Sequence, residues 1–179
     1  MSDSHPIIVT GFMGSGKTTV AQALSRLLEC EMIDLDRYIT ERIGRSPREI
    51  IEQDGVAAFR EIETRLLREL LSERAACVIA LGGGAWTIRT NRDLIADHNG
   101  FVAWLDAPFA LCWQRIIAGG RQRPLARSEE QARELFEQRR PIYELAALRV
   151  AVGGKGVDEC ALLIAGHLSN EEISGGPQS

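Results

Sequence analysis

The sequence predicts an α/β protein in which helices cover a parallel β-sheet. Five short apolar runs have the length and composition of buried parallel strands, and stretches of helical periodicity separate them. Strands that alternate with helices along a chain indicate a parallel sheet. The five predicted strands are Ile7–Thr10, Glu31–Asp34, Cys77–Leu81, Phe101–Leu105 and Arg149–Val152.

The predicted helices begin and end at local signals. Gly44 ends one helix, Ser46-Pro47 begins the next, and residues 128–131 fit a capping box. Pro141 is expected to kink or restart the helix that contains it. The predicted helices cover Thr18–Leu28, Arg37–Ile43, a segment after Pro47, Val56–Leu71, Asn91–Asp97, Phe109–Ile117, Ser128 to about Leu145, and Val157–Leu168.

Length and composition indicate a single domain. The chain has 179 residues, of which 45% are hydrophobic and 26% charged, and residues 1–170 are expected to form the domain, with 171–179 as a disordered tail. Because no run is long enough for a membrane span and no secretory leader is recognisable, a cytoplasmic location is expected. The net charge of −4 argues against nucleic acid as the main partner. The four cysteines lack C-x-x-C spacing, so buried reduced thiols are expected.

A glycine-rich motif directly follows the first predicted strand. Residues 11–18 fit G-x-x-x-x-G-K-[ST] between a strand and a helix, which is the context of a phosphate-binding loop. Its glycines let backbone N–H groups surround phosphate oxygens, and the helix N-terminus adds partial positive charge. Lys17 is expected to reach the β- and γ-phosphates, and the Thr18 hydroxyl to bind Mg²⁺. The predicted nucleotide-binding residues of the loop are Gly11, Met13, Gly14, Ser15, Gly16, Lys17, Thr18 and Thr19.

Two aspartates, Asp34 and Asp36, end the second predicted strand. Ligands of parallel sheets bind beyond the carboxyl ends of the strands, where the phosphate loop also lies. On a strand, residues two apart face the same way, so the two side chains are expected to point to the same side. One could then support Mg²⁺, directly or through water, while the other accepts a hydrogen bond from a substrate hydroxyl. Alternatively, one aspartate only caps the next helix.

Three further clusters carry candidate chemistry. Arg60 and Glu63 are neighbours on a helix surface, either as an ordinary ion pair or as an arginine held to clamp a substrate carboxylate. The glycines at 82–84 follow the third strand and let a ligand approach the backbone. Residues 119–125 combine glycines, arginines and a proline, which suits a mobile lid that carries a cation, although a plain polar loop has similar composition.

The ordered set of motifs resembles the shikimate kinases, which are P-loop proteins related to nucleoside-monophosphate kinases. The G-F-M-G-S-G-K-T loop, D-x-D, F-R-x-x-E, G-G-G, R-P-L and R-x-P-x-Y occur in the family's order between Ile7 and about Arg149. The resemblance implies a three-layer α/β/α sandwich, strand order 2-3-1-4-5, a mobile lid at about 119–128 and a monomer. It also implies transfer of the γ-phosphoryl group of ATP, with Mg²⁺, to the 3-hydroxyl of shikimate.

The resemblance also assigns roles to individual residues. Lys17, Asp36 and Arg123 are implied as catalytic, with Asp36 binding a substrate hydroxyl and Arg123 reaching the phosphates from the lid. Thr18 and Asp34 are implied at the metal site, and Arg115 near the adenine. The implied shikimate-binding residues are Asp36, Arg60, Gly82, Gly83, Gly84 and Arg139, with Glu63 orienting the arginines.

The sequence departs from the family pattern at three places. Val56 stands where a glutamate usually follows Gly55, Ile51 where an aromatic residue is common, and residues 150–156 lack the Asp and Pro of the family's adenine loop. Two other interpretations stay open, a kinase of another hydroxy acid such as gluconate and a non-catalytic ligand sensor. The G-G-G and R-x-P-x-Y motifs favour shikimate, and the complete set of phosphate-site residues favours an enzyme.

Overall fold

The computed structural model of the chain describes residues 5–74, 76–119 and 128–174. Five parallel strands form one sheet in the order β2-β3-β1-β4-β5. The predicted α/β class, the parallel sheet and the strand order are therefore confirmed. The strands are β1 (Ile7–Thr10), β2 (Met32–Asp34), β3 (Val78–Ala80), β4 (Phe101–Asp106) and β5 (Leu148–Ala151).

Helices separate the strands in chain order. Each lies where the sequence pattern predicts one, with ends that differ by a few residues. The helices are α1 (Lys17–Leu27), α2 (Leu35–Ile43), α3 (Pro47–Glu73), α4 (Arg89–Asp97), α5 (Phe109–Ala118), α6 (Glu129–Tyr143) and α7 (Val157–Ser174). One short 3-10 turn, Ala85–Thr87, was not predicted.

The middle of the sheet is the core of the molecule. Every residue of β1 and β3 is buried, as expected for central parallel strands that helices cover on both faces. Helix α1 packs against α7, while α3 packs against α2 and α4. The three-layer α/β/α arrangement follows from this packing. Within the described ranges, no helix is both long and apolar enough to cross a membrane.

Strand register brings the carboxyl ends of the strands to one edge of the sheet. Val9 pairs with Ala80 on one side and with Ala103 on the other, and Asp34 pairs with Ala80 from β2. The loops that follow β1, β2 and β3 therefore leave the sheet at the same edge. These loops carry the phosphate motif, the two aspartates and the three glycines.

The long helix α3 contains a break. Ser46 caps its start at the predicted Ser46-Pro47 signal, and a reciprocal bond with Glu49 completes a capping box that was not predicted there. At the predicted box of residues 128–131, the Gln131 N–H donates a hydrogen bond to the Ser128 hydroxyl. Gly55 has φ 89° and ψ 167°, so the chain leaves helical geometry there and re-enters it at Val56. The two helices predicted on either side of Gly55 thus form one element with a kink, and its second part carries Arg60 and Glu63.

Three local predictions need correction. The strand β2 ends at Asp34, so Asp36 lies in the first turn of α2 and does not share an extended segment with Asp34. Helix α6 passes through Pro141 without restarting and ends at Tyr143, although the proline has no N–H to donate to the hydrogen-bond ladder. Helix α7 continues to Ser174, so the first residues of the expected tail are helical, and 175–179 lie outside the described residues.

Candidate active site

The phosphate loop connects β1 to α1 through a tight turn. Gly14 has φ 79°, and a β-carbon there would lie 2.6 Å from the carbonyl oxygen of Cys112 on α5. Gly16 is the N-cap of α1 with φ 98°. Both positions favour glycine, because other residues rarely adopt such positive φ angles. At Gly14, in addition, no side chain fits beside Cys112. The backbone N–H groups of this loop and of the first turn of α1 are therefore arranged as an anion site.

Two cations flank the phosphate loop. The ammonium of Lys17 donates a hydrogen bond to the carbonyl oxygen of Phe12 at 2.9 Å, and Arg115 of α5 donates to that of Gly14 at 3.1 Å. Lys17 and Arg115, both predicted to contact the nucleotide, therefore lie at the phosphate loop. Met13 is partly exposed, Ser15 is buried, and Thr19 is exposed on the first turn of α1.

Thr18 and Asp34, which the sequence predicts at a metal site, are hydrogen-bonded to each other. The hydroxyl of Thr18 donates to Asp34 Oδ2 at 2.5 Å, and Asp34 Oδ1 accepts from the backbone N–H of Arg37, which caps α2. Among the described residues no cluster of three or more His, Cys, Asp or Glu forms a protein cage for a metal. One hydroxyl and one carboxylate nonetheless suit Mg²⁺, which prefers oxygen ligands and usually keeps waters and substrate phosphates in its shell.

Two carboxylates converge on Gly82 at the end of β3. A β-carbon at Gly82 would lie 2.6 Å from Asp36 Oδ1 and 3.1 Å from Glu63 Oε1. Glu63 is fully buried, and its Oε1 has no hydrogen-bond partner among the described residues. Glycine at this position therefore makes room for an acidic pair that comes from two different helices.

Arg60 and Arg139 converge on Gly84, two residues further along. A β-carbon at Gly84 would lie 2.9 Å from the guanidinium carbon of Arg60 and 3.1 Å from Arg139 Nη2. Arg60 is paired with Glu63 at 2.5 Å, and Arg139 donates from Nη1 to the carbonyl oxygen of Gly83 at 3.0 Å. The pair of guanidiniums, predicted from two distant motifs, is therefore brought together in space beside the glycine loop.

The electrostatics of this cluster are unusual because it is shielded from water. Burial raises the pKa of Glu63 to about 7, while Arg60 partly counteracts this effect. Burial lowers the pKa of Arg139, and the charge of Arg60 lowers it further, whereas Tyr143 and Glu63 raise it. Two guanidiniums and two carboxylates, Asp36 and Glu63, meet here, and with its pKa at about 7 Glu63 carries only part of its negative charge at neutral pH. An anionic ligand would therefore compensate the remaining positive charge.

The glycine loop at residues 82–84 and the phosphate loop contact each other at Gly83. A β-carbon at Gly83 would lie 3.3 Å from the backbone nitrogen of Met13 in the phosphate loop. The arginine pair, the acidic pair and the phosphate loop therefore form one continuous site. Arg123 and most of the predicted lid lie outside the described residues.

Sequence reasoning gave no role to Tyr143 and Trp86, although both hold this site together. The Tyr143 hydroxyl donates to the carbonyl oxygen of Gly83, and Trp86 Nε1 donates to that of Ile142 at 3.0 Å. The R-x-P-x-Y motif contained the signal for Tyr143, because residues 139 and 143 are one helical turn apart. No comparable pattern marked Trp86.

The fold and the site define the chain as a P-loop kinase of a small molecule. Comparisons with known proteins narrow this class. The family model described as shikimate kinase matches residues 13–165. A shikimate kinase of Geobacter sulfurreducens is 40% identical over 169 residues, which cover 92% of this chain and 91% of that protein. This chain belongs to the shikimate kinase family, as the resemblance of its motifs predicted.

Solved structures similar to this chain include a member of the same family. The shikimate kinase from Acinetobacter baumannii, solved in complex with shikimate, superposes with a TM-score of 0.86 at 34% identity and covers 94% of each chain. A gluconokinase from Sinorhizobium meliloti has a TM-score of 0.66 at 19% identity, covering 99% of this chain and 100% of its own. At that identity the second likeness shows a common fold alone.

Proposed function

We propose that this chain transfers the γ-phosphoryl group of ATP to the 3-hydroxyl of shikimate, which yields shikimate 3-phosphate and ADP. One observation carries the proposal. Arg60 and Arg139 meet at Gly84, and the neighbouring Gly83 lies against the phosphate loop at Met13. This proximity supports a shielded binding site for a small carboxylate directly beside a binding site for phosphate.

The arginine pair is suited to the carboxylate of shikimate. A guanidinium offers parallel N–H donors that match the two oxygens of a carboxylate, and such charge-assisted pairs are strongest where water is excluded. Arg139 is buried, and Arg60 is held by the buried Glu63. Both donors are therefore fixed before the ligand arrives, which reduces the entropy lost on binding.

The phosphate loop and its cations are suited to ATP. Lys17 is placed to move from the Phe12 carbonyl to the β- and γ-phosphates, and Arg115 flanks the loop at Gly14. Thr18 and Asp34 would hold Mg²⁺, directly and through water, and the bound ion would neutralise charge on the phosphates. Arg123 of the lid is proposed as a further cation toward the transferred group.

Asp36 is proposed to aim the acceptor hydroxyl. Its Oδ1 reaches the space beside Gly82, on the same side of the site as Glu63. In the reaction the 3-oxygen of shikimate forms a bond to the γ-phosphorus while the bond to the β,γ-bridging oxygen breaks, and Asp36 accepts the hydroxyl proton. Closure of the lid would exclude water, which protects ATP from hydrolysis.

An assay of ADP release tests the proposal. We expect ADP formation from ATP and Mg²⁺ to depend on shikimate, with negligible release when gluconate replaces it at the same concentration, and ³¹P NMR to show one new phosphate ester. Equal rates with gluconate would support a kinase of another hydroxy acid. Shikimate binding without any ADP release would support a ligand sensor and would contradict the proposal.

We further propose, on the family resemblance, that the protein acts as a monomer in the cytoplasm with ATP and shikimate as its partners. Light scattering coupled to size-exclusion chromatography tests the first point. A mass of about twice the 19.7 kDa of the chain would contradict it.

A further inference from the structure

Tyr143 is a buried polar residue that the reaction outlined above does not use. It lies at the end of α6, one turn after Arg139, and only 2% of its surface is exposed. Its hydroxyl donates to the carbonyl oxygen of Gly83. Arg139 also donates to the same carbonyl. The Tyr143 hydroxyl and the Arg139 guanidinium therefore share one acceptor at the inner end of the arginine site.

The ring of Tyr143 is held in place by its neighbours. It stacks on Trp104 with ring centroids 6.0 Å apart and an angle of 21° between the planes. The guanidinium carbons of Arg140 and Arg149 lie 5.7 and 5.3 Å from the Trp104 ring centroid, and both arginines pair with Asp106. This supporting stack restricts the rotamer of Tyr143 and so fixes the direction of its hydroxyl.

The protonation of Tyr143 suits a permanent hydrogen-bond donor. Burial raises the pKa of Tyr143 to about 12, although the charge of Arg139 lowers it in part. The hydroxyl therefore keeps its proton at neutral pH, and no charge forms that would neutralise Arg139. The carbonyl that it holds belongs to Gly83, which borders Met13 of the phosphate loop.

We propose that Tyr143 is a positioning residue for shikimate, which orients the guanidinium of Arg139 toward the ligand carboxylate and holds the Gly83 carbonyl against the phosphate loop. The inference rests on the proposed function. With Nη1 committed to Gly83, Arg139 is left with Nη2 facing the space at Gly84, where the carboxylate is expected. Tyr143 makes no proposed contact with shikimate or with ATP, so it acts through Arg139.

Tyr143→Phe removes one oxygen and leaves the stacked ring. We expect the KM for shikimate to rise about tenfold, which corresponds to the loss of one buried hydrogen bond, while the KM for ATP changes less than about twofold. Tyr38→Phe is the matched control, because the only other tyrosine donates to Glu69 at 2.9 Å between α2 and α3, away from the site. Equal effects of the two substitutions would overturn the inference.

A double substitution tests whether Tyr143 acts through Arg139. In an Arg139→Lys background the planar guanidinium is absent, so Tyr143→Phe should change the KM for shikimate by less than about twofold. An undiminished tenfold effect in that background would show that Tyr143 acts independently and would overturn the inference. A wild-type protein that does not phosphorylate shikimate at all would instead overturn the proposed function.

A second measurement does not require Tyr143→Phe to fold. Because the chain has two tyrosines, 3-fluorotyrosine incorporated into the Tyr38→Phe variant labels position 143 alone. We expect its ¹⁹F signal to shift when shikimate is added without nucleotide, and the shift to disappear when Arg139→Lys is also present. A signal that saturating shikimate leaves unchanged in a protein that binds shikimate would contradict the positioning role.

Discussion

Arg60 and Glu63 form an ion pair of 2.5 Å, and the side chain of Glu63 is only 1% exposed. The pair lies one turn apart on α3, which is the spacing of many weak surface pairs. Here the pair lies at the arginine site, where burial raises the pKa of Glu63 and Arg60 partly counteracts this effect. The burial of this acid therefore makes the stability of the protein sensitive to pH.

The first prediction concerns the titration of Glu63. Its pKa is raised by burial from 4.5 to about 7, so the folded protein binds more protons than the unfolded chain between these values. The contribution of Glu63 to stability is therefore complete below about pH 4.5 and is lost as the pH rises to about 7. Glu63→Gln removes this titration. We expect the free energy of unfolding of the wild type, minus that of the variant, to fall by roughly 2 to 3 kcal/mol between about pH 4 and pH 8.

Urea unfolding of the ligand-free proteins at several pH values measures this difference. Glu61→Gln is the matched control, since Glu61 lies two residues earlier on the exposed side of α3. If the free energies of unfolding of the wild type and of Glu63→Gln differ by a constant amount across the whole pH range, the raised pKa of Glu63 is contradicted.

The second prediction separates two adjacent arginines of α6. Arg139 is buried at Gly83 and Gly84, whereas Arg140 points toward Asp106 and Trp104. We expect Arg139→Ala to raise the KM for shikimate roughly 10- to 100-fold, because a charge-assisted contact is lost in a shielded site, with the KM for ATP nearly unchanged. Arg140→Ala should leave the KM for shikimate within about threefold. Equal changes in both KM values for Arg139→Ala would refute its role at the carboxylate.

Most of the fold was accessible from the sequence because local signals agreed with each other. The buried strands are continuous apolar runs, and the glycine loop and the capping residues Ser46 and Ser128 mark where helices begin. The interruption at Gly55 was also predicted, as a boundary between two helices, whereas the register of the sheet depends on tertiary packing that no local pattern encodes. The end of α7 at Ser174 was missed since a polar, glycine-containing tail has weak helical signals.

The candidate site was predictable to the extent that its residues form recognisable spacings. Lys17 and Thr18 follow from the phosphate motif alone, whereas Arg60 and Arg139 needed the family resemblance to be paired, because they are 79 positions apart in the chain. The extended geometry expected for Asp34 and Asp36 was wrong, since Asp34 caps α2 and thereby starts the helix early. The carboxylates converge at Gly82 through tertiary structure, which spacing cannot reveal.

The third prediction concerns the hydrogen bond from Thr18 to Asp34. Thr18→Val keeps the shape of the side chain but removes the hydroxyl that donates at 2.5 Å and that is proposed to bind Mg²⁺. We expect the Mg²⁺ concentration for half-maximal activity to rise about tenfold, by loss of one ligand, with the KM for shikimate unchanged. Thr18→Ser should restore the wild-type requirement.

Thr90→Val is the control for this series, because Thr90 is exposed on α4. Titration of activity with MgCl₂ at fixed ATP provides the measurement. An unchanged Mg²⁺ requirement in Thr18→Val would remove Thr18 from the metal site.

The fourth prediction concerns the backbone of the phosphate loop. Gly14→Ala places a β-carbon 2.6 Å from the carbonyl oxygen of Cys112 at φ 79°, and backbone atoms on both sides cannot move away cheaply. We expect a loss of roughly 1 to 3 kcal/mol in the free energy of unfolding and a rise in the KM for ATP that exceeds the rise for shikimate. The two KM values should respond differently because the loop is expected to surround the nucleotide phosphates, whereas the arginine pair is fixed by α3 and α6.

Gly166→Ala is the matched control for this substitution. Gly166 is exposed within α7, and a β-carbon there meets nothing within 4 Å among the described residues. Alanine at this position should raise the free energy of unfolding by roughly 0.5 to 1 kcal/mol, through its higher helix propensity, and leave both KM values unchanged. Unfolding curves and initial rates measured on the two variants test this prediction. A Gly14→Ala protein that is as stable and as active as the wild type would contradict it and would mean that the loop relaxes away from Cys112.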